Sequence, residues 1–167
     1  MSRLEEVLGA SAAARIDGLL DEVGWAVMGV DGGATGPLFG SFFLGMAAAA
    51  AGRDTIDAAT LAAMFEAGLA GVRRQTKAGP GDKTMLDALL PAVAAARRAA
   101  DAGGDVDTVL RQAADAARQG AQATRDYQAR FGRARSIGAK SIGAQDPGAT
   151  SVSLIFRGFC KGPQPSP

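Results

Sequence analysis

Apolar residues recur at helical spacing along most of this chain, and that periodicity constrains its fold more than any other feature. Ile16, Leu19, Leu20, Val23, Val27 and Val30 follow one another at offsets of 3, 4, 7, 11 and 14, the spacing of one helix face over residues 12–30. Leu61, Met64, Phe65, Gly68, Leu69 and Val72 make a second such stripe over 60–75, with Thr60 as its expected cap. Met85, Leu86, Leu89, Leu90 and Val93 form a third, starting after Asp82 and crossing Pro91, where a lost N–H predicts a kink. Val106, Leu110, Ala113, Ala114, Ala117 and Ala121 mark a helix over 105–131 whose small side chains permit close helix packing. Val152, Ile155, Phe156 and Phe159 belong to a final helix opening at Asp146-Pro147.

The segment between Asp31 and Arg53 has no charge, and its 21 residues equal the length of a membrane span. Its six Gly, one Pro and two hydroxyl residues argue instead for a turn over 32–37 and a buried helix from Pro37 to Ala51. Aromatic residues are only 5% of the chain and runs of β-branched residues are missing, so strands are not expected. The expected fold is therefore all-α, a bundle of antiparallel amphipathic helices in one domain over residues 1–160. The tail 161–167, KGPQPSP, has nothing with which to build a core and is expected to be disordered.

Charge is nearly balanced, 18 Lys and Arg against 17 Asp and Glu, which gives no electrostatic footprint for nucleic acid. The N-terminus lacks the apolar stretch of a signal peptide, so a cytoplasmic location without membrane contact is expected. A single cysteine, Cys160, excludes an internal disulfide, and with no histidine the Ser-His and Cys-His nucleophile systems are excluded too. Asp17 and Asp21 lie four apart on one helix face, the spacing of a metal pair but equally of a solvated surface. Trp25 and Tyr127 are expected in helix packing rather than as stacking platforms.

Three expected helix starts are built alike, GGATGP (32–37), GPGDKT (79–84) and GAQDPGAT (143–150). Each joins glycine to a cap-type residue, Thr35, Asp82 or Asp146. The three helices alternate along the chain, so in an up-and-down bundle their N-termini gather at one end. That end would concentrate backbone N–H groups and positive dipole ends, the requirement for binding phosphate. GPGDKT is not a Walker A loop, since Asp82 precedes Lys83 and no strand leads in. Lys83 either reaches a phosphate or is a solvated first-turn residue. The segment 132–145 carries Arg133, Arg135 and Lys140 without an acid, and reads either as a cationic lid at the same end or as a flexible crossover.

GGATGPLFG (32–40), GDKTMLDAL (81–89) and GRARSIGAKSIGAQDPGATS (132–151) together resemble the nucleotide-binding L subunit of bacterial dihydroxyacetone kinases. The same domain forms the C-terminal part of ATP-dependent dihydroxyacetone kinases, and the likeness extends from about residue 10 to 160. The resemblance implies a helical barrel with ADP or ATP at one rim. It implies that Ala34 and Thr35 contact the nucleotide phosphates, that Met85 packs near the adenine and that Arg133 lies in the lid. Asp146, Pro147 and Gly148 would form the last nucleotide-binding turn. In the phosphoenolpyruvate-dependent systems a phosphohistidine carrier subunit phosphorylates the bound ADP. The γ-phosphate then passes to dihydroxyacetone (glycerone) on a separate K-type subunit.

Three departures from the family pattern stand out. A GDxDHG segment whose aspartates hold two Mg²⁺ ions is expected before the first helix and has no counterpart here, so metal ligands are not expected in this chain. Thr76 stands where the family usually has Gly, and Ala144 where it often has His. Loss of the first family helix would expose an apolar face of residues 12–30 or of 42–51 and favour self-association. The expected function is an ADP- or ATP-binding kinase subunit, impaired if those aspartates are truly absent. The alternatives are a non-catalytic binding module or regulatory partner of the same fold, and a kinase component acting on a related ketose such as a tetrulose.

Overall fold

The computed structural model describes residues 15–29 and 35–161, without the side chain of Arg133. The expected tail from residue 162 onward, Val30, Ala34 and the first residues of the 12–30 helix lie outside that set. The helices are α1 (Ile16–Met28), α2 (Thr35–Ala50), α3 (Ala58–Gln75), α4 (Leu86–Asp101), α5 (Val106–Ala123) and α6 (Pro147–Phe159). Short 3₁₀ segments occupy Thr124–Asp126 and Arg133–Ser141, and the described residues contain no strand. The fold is all-α. No helix among the described residues is long and apolar enough to cross a membrane. The chain divides into two compact units, one ending at Lys77 and the other beginning at Ala78.

In the first unit, glycines set how closely the helices approach. A Cβ on Gly24 would lie 2.8 Å from Leu44 Cγ, and one on Gly40 would lie 2.9 Å from the Gly24 carbonyl oxygen and from Met28 Cβ. Residues 24 and 28 thus face 44 and 40, so α1 and α2 run antiparallel. Gly45 meets the Ala67 carbonyl and Gly71 meets that of Ser41, which makes α2 and α3 antiparallel as well. The rings of Phe42 and Phe65 stack across this contact with centroids 6.5 Å apart. Both rings are fully buried, and burying each contributes about 1.5–3 kcal/mol.

Several expectations for this unit need correction. α2 begins at Thr35, two residues before Pro37, so Thr35 is a helical residue and not the cap. The cap of α3 is Asp57, whose carboxylate accepts the Thr60 N–H at 2.7 Å, while Thr60 is buried inside the first turn. Phe42, Phe43, Met46 and Ala47 are buried, so the 42–51 segment is not the exposed apolar face. Trp25 is 60% exposed and does not serve helix packing, and Ile16 on α1 is also exposed. Asp17 is not freely solvated. It accepts N–H bonds from Gly18 at 3.0 Å and Gly52 at 3.3 Å, pinning the start of α1 to the turn after α2.

The second unit packs α4 on α5 through alanines, and Ala88, Ala92, Ala96, Val109, Ala113 and Ala117 have essentially no exposed surface. Asp105 caps α5 by accepting the Thr108 N–H at 2.8 Å. Val109, not Leu110, is the deepest aliphatic residue of α5. α5 stops at Ala123 rather than near residue 131, because Thr124 donates its hydroxyl to the Ala121 carbonyl at 2.6 Å and a 3₁₀ turn follows. α4 continues through Pro91 to Asp101. α6 returns along α5, burying Val152 and Phe156. Its start is tied to the end of α5 by the Asp146 N–H donating to Thr124 Oγ1 at 2.9 Å.

Candidate functional site at the starts of α4 and α6

The loop entering α4 is shaped by its own carboxylates. Asp82 accepts the Gly79 N–H at 2.7 Å. Asp87, buried in the first turn, accepts the N–H groups of Gly81 at 2.5 Å and Thr84 at 2.8 Å. Gly81 has φ +82° and supplies the left-handed turn these bonds require. At α6, Asp146 is the N-cap and accepts the Ala149 N–H at 2.7 Å, with Pro147 in the first helical position. Its carbonyl accepts both the N–H of Thr150 at 2.9 Å and the Thr150 hydroxyl at 2.8 Å.

These two starts meet. A Cβ on Gly148 would lie 3.3 Å from Met85 Cβ and 3.1 Å from Asp146 Oδ2, so a side chain there would press on both. Burial pushes the Asp146 carboxyl above its ordinary range, against the pull of the Ala149 and Gly148 N–H groups. The Asp87 carboxylate raises it further and the Lys83 ammonium lowers it, so these three charges share one neighbourhood.

Met85, Asp146, Pro147 and Gly148 are therefore neighbours. The N–H groups of Gly79, Gly81, Thr84 and Ala149 at these starts are taken by the chain's own carboxylates. Thr35 belongs to the first unit, is exposed, and opens a helix with no acid in its first turn. Ala34 lies outside the described residues. Arg133 opens the 3₁₀ segment after Gly132, whose φ is +67°. Within 132–145, residues 133–141 thus form two short 3₁₀ turns joined by a bend at Gly138 (φ 53°, ψ −128°), not a plain crossover. Thr76 ends α3 in extended conformation.

Lys83 fits neither of its expected roles. It is 4% exposed, and its ammonium donates to the carbonyls of Ser141 and Ala144 at 2.6 Å, Thr124 at 2.8 Å and Tyr127 at 3.1 Å. Lys83 was not recognisable from residue type, since its partners lie in the distant α5–α6 connection, whereas those of Asp87, Gly81 and Thr84, are local. The GD-K spacing after a glycine was the one available hint.

No group of three or more metal-capable side chains occurs among the described residues. The carboxylates of Asp82, Asp87 and Asp146 each hold backbone N–H groups, a role that competes with binding a divalent ion. This cluster does not fit the pair of Mg²⁺ ions the resemblance implies.

Helix packing and loop geometry define a small helical protein with a loop-lined site at helix starts. The sequence pattern of the DAK2 domain matches residues 1–161, and the chain belongs to that family. It is similar to the PEP-dependent dihydroxyacetone kinase, ADP-binding subunit DhaL, of Escherichia coli (strain K12), with 41% identity over 93% of this chain and 74% of that protein. A second DhaL, from Listeria innocua, is 38% identical over 92% of this chain and 70% of its own length. The D-erythrulose kinase of Mycolicibacterium smegmatis is 34% identical over 83% of this chain, which corresponds to 24% of that longer protein.

Proposed function

We propose that this chain is the nucleotide-carrying subunit of a dihydroxyacetone-type kinase. The residues proposed to contact ADP or ATP are Ala34 and Thr35 of the first unit and Met85, Arg133, Asp146, Pro147 and Gly148 of the second. The observation that carries this reading is the seating of the α6 first turn on Met85 through Gly148, with the 3₁₀ segment leading into the same turn. Likeness to two DhaL subunits described as ADP-binding supports it. In this reading the start of α2 takes the phosphates and Met85 packs on the base. Arg133 adds positive charge from the segment before α6. The chain's task is to hold a γ-phosphate in line with a hydroxyl of dihydroxyacetone held on a K-type partner. Positioning and charge neutralisation are the main catalytic contributions to phosphoryl transfer. A phosphohistidine carrier would recharge the ADP in place, and the protein would act in the cytoplasm. Mg²⁺ would supply charge neutralisation to the phosphates, and Asp82, Asp87 and Asp146 are not assigned as its ligands.

The engagement of those three carboxylates as helix and loop caps favours one second reading, a module that binds nucleotide without turnover. Reconstitution separates the two. The chain is combined with a K-type subunit, a phosphohistidine carrier system, phosphoenolpyruvate, ADP and Mg²⁺, and dihydroxyacetone phosphate is measured. Steady formation is expected of the kinase subunit, and nucleotide binding without product would support the module instead. Replacing dihydroxyacetone by a tetrulose tests whether ketose choice rests on the partner.

A further inference from the structure

Among the described residues Lys83 is the sole non-glycine with positive φ, at +60°. A left-handed backbone is costly for a side-chain-bearing residue, so the surrounding structure must hold it there. It also carries a buried ammonium with no carboxylate in contact among the described ion pairs. A buried charge is costly, and an apolar residue of similar volume would avoid the cost. What the charge supplies is convergence, because one ammonium draws together four carbonyls from the two ends of the α5–α6 connection. Thr124 and Tyr127 lie in the turn after α5, whereas Ser141 and Ala144 end the segment before Asp146.

Further bonds join these loops around it. The Gly143 N–H donates to the Arg125 carbonyl at 2.7 Å, the Ala129 N–H to Ser141 Oγ at 2.9 Å, and the Arg130 N–H to the Asp82 carbonyl at 3.1 Å. Met85 lies two residues after Lys83, and Asp146 two residues after Ala144. The same side chain therefore sets both halves of the Met85–Gly148 contact.

We propose that Lys83 is a positioning residue: its ammonium, held among four backbone carbonyls, fixes the Asp146–Gly148 turn against Met85 and so keeps the nucleotide site assembled. The inference rests on the nucleotide reading above for its functional consequence, but its structural consequence is measurable without ligand. Arginine is not a substitute, since a planar guanidinium cannot bring its donors to a point.

The test uses the full chain with Lys83→Ala and the volume-conserving Lys83→Met. Amide hydrogen exchange is followed at Gly143, Asp146 and Ala129, with the α4 and α5 helical amides as reference. Both variants are expected to exchange faster at those three amides while the helical amides stay unchanged. ADP affinity is expected to fall about ten- to one-hundredfold, as misplacement of a site element implies. In Lys83→Ala, ethylammonium or n-propylammonium should restore slow exchange and affinity, while tetramethylammonium, which has no N–H, should not. Unchanged exchange at the three amides would overturn the proposal. So would acceleration spread evenly over the unit, equal rescue by tetramethylammonium, or failure of both variants to fold. If the wild-type chain binds no ADP but the exchange pattern and its rescue appear, the nucleotide reading fails and the positioning of the turn stands.

Discussion

Gly120 of α5 lies against the backbone carbonyl of Asp87 in α4, the carbonyl that Pro91, four residues on, has no N–H to serve. The missing hydrogen bond and the missing side chain occupy the same place. A Cβ on Gly120 would also come within 2.9 Å of Ala88 Cα and Pro91 Cγ, so the two helices meet through backbone.

Gly120→Ala should therefore destabilise the protein despite alanine's better helix propensity. The clash is with backbone, which cannot rotate away, and overpacking of this kind costs about 1–3 kcal/mol. Urea unfolding should show a lower midpoint with an unchanged slope. Equal or greater stability would mean that α4 and α5 are not in this register.

Asp146→Asn separates capping from ligand binding. Asparagine caps helices about as well as aspartate, so the melting temperature should stay close to wild type. If the carboxylate itself contacts nucleotide, ADP affinity should fall about tenfold, a loss of about 1.4 kcal/mol. A variant that melts much lower yet binds ADP normally would assign Asp146 to structure alone.

The pH dependence of stability should differ in sign between carboxylates. Burial holds the folded Asp146 pKa above its unfolded value, so the folded state binds the extra proton. Stability from this group therefore rises as pH falls from the raised folded value towards about 3.9, the unfolded value. Asp57 and Asp105 are shifted downward by their bonds from Thr60 and Thr108, so their contribution is present above that unfolded value and lost below it. Wild type should thus gain stability relative to Asp146→Asn on mild acidification and lose it relative to Asp57→Asn on stronger acidification. Parallel pH curves for all three proteins would contradict these assignments.

Trp25 is the sole tryptophan and is largely exposed, so its fluorescence should resemble that of the free amino acid and be quenched readily by acrylamide. Blue-shifted emission with weak quenching would show that the face of α1 carrying Trp25 is covered in solution, by a second copy or by the chain itself. Light scattering would distinguish those cases and test the expected self-association.

Stripes of apolar residues predicted five of the six helices among the described residues, because helix formation depends on residues three and four apart and these are visible in sequence, while α2 was read from the uncharged segment around Pro37. Boundaries failed where a neighbouring polar residue competed for the same role. Asp57 displaces Thr60 as the cap of α3 since a carboxylate is the stronger acceptor, and Thr124 ends α5 early. At the candidate site, the motifs containing Met85 and Asp146 were legible, and so was their convergence, which follows from helix parity within the second unit. The place of Lys83 was not. Its four acceptors are backbone carbonyls 41 to 61 residues away, and no side-chain pattern encodes them. The occupied N–H groups were equally hidden, because glycine and aspartate near a helix start look alike whether the carboxylate caps the helix or leaves it open for a ligand.

The central claim is that ADP binds where α6 meets Met85. The most direct measurement is a methyl NMR titration of the protein labelled at its methionines. With ADP, the Met85 methyl signal should shift and saturate, while Met46 and Met64, buried in the first unit, should not move. Binding that leaves Met85 unperturbed, or no binding at all, would contradict the account.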